Sequence, residues 1–353
     1  MSIIRNTIKF FVLLANIIVG LGFLFCAYSP AISPVSYPVL ACAGMVIPVF
    51  IILNICFLIF WTFASIKMIA VPIAFFILGW KSLMAYSPIN FSSDTPADNT
   101  LKIVTYNVMN MSGKSDEGDI PVIEYIKKSK ADIVCLQEFP HRNQKIKKQL
   151  QKYYPYIRTC NFNRVNAVAC LSKYPVRFVE EIKLGSAYNG SALFKVKYND
   201  IDIPLMINHL ESNKLTAHDK KVYKDLLKSP NETHVKTDGK YLLEKLADAM
   251  SIRAVQADKI SRYIENEYSP YMIVCGDFND TPVSYTHRKI SEKLTDAYIE
   301  AGNGPGITYN RNLLFFRIDH IMVGKGYRVS ECKVDTSIDA SDHYPLYSIL
   351  TIR

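Results

Sequence analysis

The chain has 353 residues, 49% of them hydrophobic, with 41 Lys and Arg against 32 Asp and Glu and a net charge of +9. That length exceeds one average domain, and the excess of cations suits an anionic substrate or an anionic membrane surface. Eight cysteines, five of them in the C-terminal part (Cys135, Cys160, Cys170, Cys275 and Cys332), show no paired spacing, which excludes a disulfide framework or a zinc cluster.

Residues 1–90 carry only Arg5, Lys9, Lys67 and Lys81 as charged side chains. Three apolar stretches, Ile8 to Tyr28, Val39 to Ile59 and Met68 to Tyr86, each approach the ~20 residues with which a helix crosses a ~30 Å hydrocarbon core. A cleaved signal peptide accounts for one such stretch and not for three. Pro48 and Pro72 do not argue against spans, because neighbouring helices satisfy the freed backbone groups. Arg5 and Lys9 precede the first stretch and Lys67 separates the second from the third, whereas Ser29 to Pro38 is uncharged. The positive-inside rule then puts the N-terminus in the cytoplasm and the C-terminal part on the non-cytoplasmic side, with Lys81 as the charge that does not fit. Only Asn16 and Asn54 are polar amides within the spans, so the segment reads as an anchor in an inner or plasma membrane of bacterial type rather than as a transporter. Composition shifts across "SPINFSSDTPADNT". The expected organisation is an anchor over 1–88 with about three transmembrane helices, a linker over 89–100 and a soluble domain over 101–353.

Beyond the linker, short runs rich in Val, Ile, Tyr and Phe recur, each ending in turn residues: "LKIVTYNV", "ADIVCLQEF", "AVACLSKYPV", "SALFKVKY", "IDIPLMINHL", "YMIVCGDF", "FRIDHIMV", "YRVSECKV" and "YPLYSILTI". These predict strands. "DIPVIEYIKKSK" and the long "GKYLLEKLADAMSIRAVQADKISRYIENE" have helical periodicity, and the second is amphipathic. Many strands with helices in the connections predict an α/β (α+β) domain with two packed sheets flanked by helices. The polar Ser212 to Lys240 reads as a surface excursion covering one edge of a site.

Residue types suited to catalysis cluster at the ends of the β runs: Asn107, Glu138, Asn208, His209, Asp277, Asn279, Asp319, His320, Asp342 and His343. Strand ends converge in space, so residues distant in sequence can share one mouth of a sheet scaffold. Singly, each has a structural explanation: Asn107 as a turn cap, Glu138 as a solvated acid, His209 as a core histidine. The conjunction outweighs those readings.

In order, "TYNV", "QE", "NHLES", "GDFN", "RIDHIMV" and "SDHYPL" resemble the endonuclease/exonuclease/phosphatase superfamily, which includes DNase I-like nucleases, abasic-site endonucleases, neutral sphingomyelinases and inositol-polyphosphate phosphatases. The resemblance spans about Leu101 to Arg353. It implies a four-layer α/β sandwich of the DNase I type and metal-assisted attack of water on a phosphate ester, with Mg²⁺ as cofactor and Mn²⁺ as a substitute. It implies Glu138, Asn107 and Asp342 as metal ligands and Asp277 as the residue that orients and deprotonates the water. Asn279, His209 and His343 would contact the phosphate, and Asp319 would orient His343.

Asp296, Thr308, Tyr309 and Asp280 read as scaffold, rim or turn residues, and Arg253 as a group facing either a phosphate or solvent. The resulting expectation is a membrane-anchored, nuclease-like phosphodiesterase acting on nucleic acid or on a phospholipid headgroup, with the bilayer as its other partner and no obligate protein partner. A lipid phosphodiesterase or phosphatase is the alternative enzyme, and a catalytically silent binding domain is the alternative outside enzymes.

Overall fold

The computed structural model describes residues 2–91, 99–112, 120–228, 235–311 and 313–353. Most of the expected linker, 92–98, lies outside the described residues.

The N-terminal part folds as α1 (Ser2–Tyr28), a short α2 (Pro38–Ala41), α3 (Ile47–Ala64), α4 (Ala70–Leu78) and α5 (Trp80–Tyr86). Two stretches, Ile4–Ala31 and Pro38–Ala64, are long and apolar enough to cross a membrane. The third expected span is not one straight helix. It bends by 73° between Ile66–Leu78 and Trp80–Tyr86, so the count is two spans, or three if the bent pair acts as one. Gly79 sits at the break, where a Cβ would come within 2.3 Å of the Phe23 ring. Close packing of an aromatic ring on a bare backbone is one identifiable cause of such a kink.

Among the described residues the remainder contains fourteen strands: β1 (Thr100–Asn107), β2 (Ile133–Gln137), β3 (Tyr156–Asn161), β4 (Ala167–Ser172), β5 (Val176–Ile182), β6 (Gly190–Tyr198), β7 (Ile201–His209), β8 (Ile273–Asp277), β9 (Thr295–Asp296), β10 (Tyr309–Arg311), β11 (Leu314–Phe316), β12 (Asp319–Val323), β13 (Tyr327–Val334) and β14 (Leu346–Ile352). Two six-stranded mixed sheets form, in the orders β13-β14-β1-β2-β4-β3 and β5-β6-β7-β8-β12-β9, and β10-β11 make a separate hairpin. The β1–β2 and β7–β8 pairs are parallel.

Period-two alternation sorts the side chains into layers. Leu101, Ile103, Ile133 and Cys135 of the first sheet meet Leu205, Ile207, Ile273 and Cys275 of the second. The alternate residues Val104, Tyr106, Val134 and Leu136 face α6 (Pro121–Ser129) and α7 (Gln144–Gln151). Met206, Val274 and Met322 face α9 (Lys240–Asn266), the long amphipathic helix expected from its pattern. The polar excursion carries α8 (Ala217–Lys228), and all eight cysteines are free.

The N-terminal helices and the sheets are packed together. Val283, in the turn after β8, shares a cluster with Phe23, Cys26, Ala27 and Ile47. Cys42 packs with Ala247 and Met250 of α9. Ser251 Oγ donates to Pro34 O at 2.8 Å and Arg288 Nε to Pro30 O at 2.8 Å.

Three residues given structural or open readings find structural roles. Arg253 faces neither phosphate nor solvent: it is buried, with Nε 3.4 Å from Asp280 Oδ2 and Nη1 donating to Glu211 O at 2.9 Å. Asp296 caps α10 (Ala297–Ala301), accepting through Oδ1 from Tyr298 N at 2.7 Å and Ile299 N at 3.1 Å. Its Oδ2 lies 2.7 Å from His287 Nε2 and 3.4 Å from His320 Nδ1. Burial alone would raise the Asp296 carboxyl, but the two imidazoles outweigh it and hold the group well below the usual carboxylate range. Burial holds His287 below its ordinary value.

Two predictions follow from this packing. Gly276 has φ +129° and a Cβ there would lie 2.0 Å from Asn208 O of the paired strand, so Gly276→Ala should destabilise the detergent-solubilised chain by roughly 3 kcal/mol, read as a lower unfolding midpoint. Asp296→Ala removes a helix cap and leaves two buried imidazoles without their acceptor, for a loss of about 3 kcal/mol. The depressed Asp296 contributes fully above the ordinary carboxylate pKa of about 4 and loses that contribution as pH falls through its folded value. The stability difference between wild type and Asp296→Ala should therefore narrow in acid; a constant difference down to strongly acidic pH would contradict the network.

Candidate active site

Strand register assembles the cleft. His209 at the end of β7 is the register partner of Asp277 at the end of β8, and Asp319 at the start of β12 is its partner on the other side. Asn107 ends β1 opposite Gln137, which ends β2, with Glu138 next in the chain. The two sheets thus present their polar ends at one mouth. Ser341 Oγ donates to Asn107 O at 2.7 Å, which fixes the loop bearing Asp342 and His343 over the same place.

Asp277 lies at the centre. Its Oδ1 accepts from Asn279 N at 2.8 Å. Its Oδ2 accepts from Asn107 Nδ2 at 3.0 Å and lies 3.7 Å from His343 Nε2 and 3.8 Å from His209 Nε2. Asn107 Nδ2 is also 3.4 Å from Glu138 Oε1, and His209 Nε2 is 3.8 Å from that same oxygen. On the far side His343 Nδ1 meets Asp319 Oδ2 at 2.7 Å. All eight residues named from the sequence therefore converge, with Glu138, Asn279 and Asp342 the more solvent-accessible members.

Burial sets the charges. Burial raises the Asp277 carboxyl, and Asp319 adds to the rise while His343 and His209 oppose it. Burial also raises Glu138, with help from Asp342. His209 is lowered by burial and stays neutral. Burial would lower His343 too, but the carboxylates of Asp319 and Asp277 outweigh it and push it up to about 10. The cleft therefore holds one imidazolium among four carboxyl groups.

That imbalance identifies where a cation fits. Asp277, Asp319 and His343 have ligand atoms within 4.8 Å of one another, yet both nitrogens of the protonated His343 face carboxylates, so neither offers a lone pair. Glu138 and Asp342 supply hard oxygen donors, the chemistry preferred by small divalent cations. Asn107 turns its amide nitrogen toward Glu138 and Asp277, while its Oδ1 accepts from Met109 N at 3.2 Å; ligation through oxygen requires that amide to rotate.

Asn279 differs in detail from its expected role. It lines the cleft, but its Nδ2 donates to Leu210 O at 3.0 Å, leaving one N–H for a ligand. Asn208 is structural, accepting from Ser191 Oγ at 2.6 Å and donating to Cys275 O at 3.2 Å. Left-handed φ values occur at Glu138 (+52°), Asn279 (+53°) and Met109 to Met111, all at or beside the cleft, as expected where surrounding structure over-determines a functional loop.

Sequence reasoning gave Thr308 and Tyr309 only an undecided scaffold or rim role. Thr308 Oγ1 accepts from Ile318 N at 3.0 Å and Asp319 N at 3.2 Å, and the Tyr309 ring packs edge-on to His343 at 5.2 Å. It did not see that the N-terminal segment joins the cleft: Cys42, Met45, Val46, Pro48, Val49 and Tyr86 line a cavity of about 700 Å³ together with Asp277 and His343. Apolar spacing carries no signal for that.

A family model described as the Endonuclease/Exonuclease/phosphatase family matches residues 104–343, more than half of the chain, and one described as a domain of unknown function matches residues 9–86. No curated protein matches the chain. Among solved structures, D. rerio TDP2 complexed with single strand DNA product is 18% identical and covers 72% of this chain and 99% of its own, with a TM-score of 0.51. The human Nocturnin catalytic domain with bound sulfate anion is 15% identical over 73% of this chain and 97% of its own, at 0.51. Truncated Caenorhabditis elegans TDP2 is 18% identical over 71% and 98%, at 0.50. These likenesses bear out the two-sheet DNase I-like fold. The order of motifs, the sheet architecture and the matched span agree, and the chain belongs to the endonuclease/exonuclease/phosphatase family.

Proposed function

We propose that the chain is a membrane-anchored, Mg²⁺-dependent phosphodiesterase. The observation that carries this reading is Asp277, buried at the cleft floor with one oxygen fixed by Asn279 N and the other facing Asn107, His209 and His343. In this reading residues 1–88 form the anchor, 89–100 the linker and 101–353 the catalytic domain on the non-cytoplasmic side. The Arg5, Lys9 and Lys67 bias and the two long apolar helices support that arrangement. A phosphodiester substrate is in keeping with the single strand DNA product in the D. rerio TDP2 structure.

Asp277 accepts a proton from the attacking water, which its raised basicity favours over an ordinary carboxylate. His343 presents an imidazolium to the phosphate, and Asp319 holds that ring in place through Nδ1. Neutral His209 and the free N–H of Asn279 donate to phosphate oxygens. Glu138, Asp342 and a rotated Asn107 would hold Mg²⁺, with Mn²⁺ as a substitute. The ion, when bound, neutralises charge on a phosphoryl oxygen and on the leaving oxygen.

Asp277→Asn should lower hydrolysis of a generic phosphate bis-ester by about 10³-fold, within the range for losing a general base, with circular dichroism unchanged. Wild-type-like turnover in that variant would remove Asp277 from the chemistry. Chelation with EDTA should abolish turnover and added Mg²⁺ restore it. Glu138→Gln should raise the Mg²⁺ concentration needed for half-maximal rate by roughly tenfold or more.

A further inference from the structure

We infer that the substrate is an amphiphilic phosphate ester of the bilayer, with its phosphate against Asp277 and His343 and its hydrocarbon chain lying along the anchor. The inference rests on the phosphodiesterase reading and names its substrate class. The cavity of about 700 Å³ is polar at one end and apolar at the other. Met45, Val46 and Val49 of the anchor form one apolar wall, Leu243 and Leu246 of α9 another, and Phe315 of the β10-β11 hairpin a third. Val46, Val49 and Phe315 remain about half exposed, although each has an apolar side chain facing a cleft that ends in charge. A soluble protein seldom leaves so much apolar surface uncovered beside its active site unless a ligand or membrane covers it.

The wall is also placed where a lipid is. Val49 belongs to α3, within the Pro38–Ala64 stretch that is long and apolar enough to cross a membrane. The anchor is held against the catalytic domain by Ser251 on Pro34 O and Arg288 on Pro30 O, so the wall and the catalytic carboxylate keep a fixed relation. A nucleic acid fits this cleft poorly. Its binding rests on cations that neutralise successive phosphates, yet residues 10–66 contain no Lys, Arg, Asp or Glu. Two lysines line the cleft, and one of them, Lys214, is paired with Glu211 at 2.6 Å, which leaves Lys220 as a single cation beside it. An ester with one charged head and one apolar tail matches both ends.

The reaction balances without another reagent. Water adds its oxygen to phosphorus and the P–O bond to the leaving oxygen breaks. The proton taken by Asp277 ends on that oxygen, giving an alcohol and a phosphomonoester from a diester, or inorganic phosphate and the lipid monophosphate from a diphosphate.

The test uses the full chain in nanodiscs with Mg²⁺ and four probes: phosphatidylglycerol in the nanodisc, a polyprenyl diphosphate in the nanodisc, a single-stranded oligonucleotide, and soluble bis(p-nitrophenyl) phosphate. Turnover of one of the two membrane probes at a kcat/KM at least about tenfold above the bis-ester is expected, and which one reacts separates a glycerophospholipid from an isoprenoid source. Val49→Trp, which fills the groove, and Phe315→Ser, which strips its opposite wall, should each lower kcat/KM for that membrane probe about tenfold more than for the bis-ester. Preference for the oligonucleotide, failure of both membrane probes while the bis-ester is hydrolysed, or an equal fall on both substrates in both variants would overturn the inference and leave the phosphodiesterase standing. Bis-ester hydrolysis that survives in Asp277→Asn would instead remove the phosphodiesterase reading itself.

Discussion

Everything at the cleft depends on placing four carboxyl groups within reach of one another inside a folded protein. Like charges that close cannot all ionise without compensation, and burial makes each ionisation more costly. The chain meets this with a single imidazolium. His343 is gripped at Nδ1 by Asp319 and faced at Nε2 by Asp277, and its retained proton lowers the cost of both acids. Glu138 and Asp342 are left on the open side as hard oxygen donors of the kind small divalent cations prefer. The geometry that permits this is a matter of strand register. A one-residue slip of β8 against β7 or β12 would send Asp277 to the opposite sheet face, and Gly276, with no room for a side chain against Asn208 O, helps to fix that register.

Much of this was legible in the sequence because strand ends advertise themselves. The β runs correspond to β1, β2, β4, β6, β7, β8, β12, β13 and β14, most within a residue or two, although the run ending at Val176 overshoots β4 by four residues and the run from Phe316 begins three before β12, and several of the polar residues that close them meet in the cleft. The strands that escaped are the short β9, the β10-β11 hairpin, and the exposed β3 and β5. Their side chains are mostly half-buried or exposed, so no apolar period marks them. Arg253 escaped for a different reason. An arginine in an amphipathic helix reads as solvated, and only the fold reveals that Asp280, from the turn after β8, arrives to pair with it. The bend at Gly79 escaped because hydropathy records length and composition and is blind to direction.

The least legible feature is the seam between the N-terminal helices and the two-sheet domain. It is made of contacts whose acceptors are backbone carbonyls, and carbonyls have no sequence signature. Pro30 O and Pro34 O take donors from Arg288 and Ser251. The last carbonyls of α5, Ala85 O and Tyr86 O, take the guanidinium of Arg317, which also donates to Pro305 O at 2.7 Å and stacks over the Tyr298 ring at 4.4 Å. A cation at a helix C-terminus both satisfies orphan carbonyls and suits the helix dipole.

Arg317 stands two residues before Asp319, the carboxylate that orients His343, and Thr308 ties the backbone of Ile318 and Asp319 between them. The end of α5 is therefore linked to the His343 imidazole through one buried arginine and the start of β12. Such a link has little freedom: Arg317 is buried, and removing its partners would leave an uncompensated charge in the interior at a cost of several kcal/mol. The depth of the cleft relative to the apolar helices is thus set by the same residues that set its chemistry. A tether whose only task was to keep a soluble enzyme near a surface would need no such coupling, because a flexible linker does that at less cost. Rigid coupling matters when the placing of an apolar wall beside a polar cleft is itself fixed by the fold, and in this chain residues of both parts that the coupling joins line one cavity.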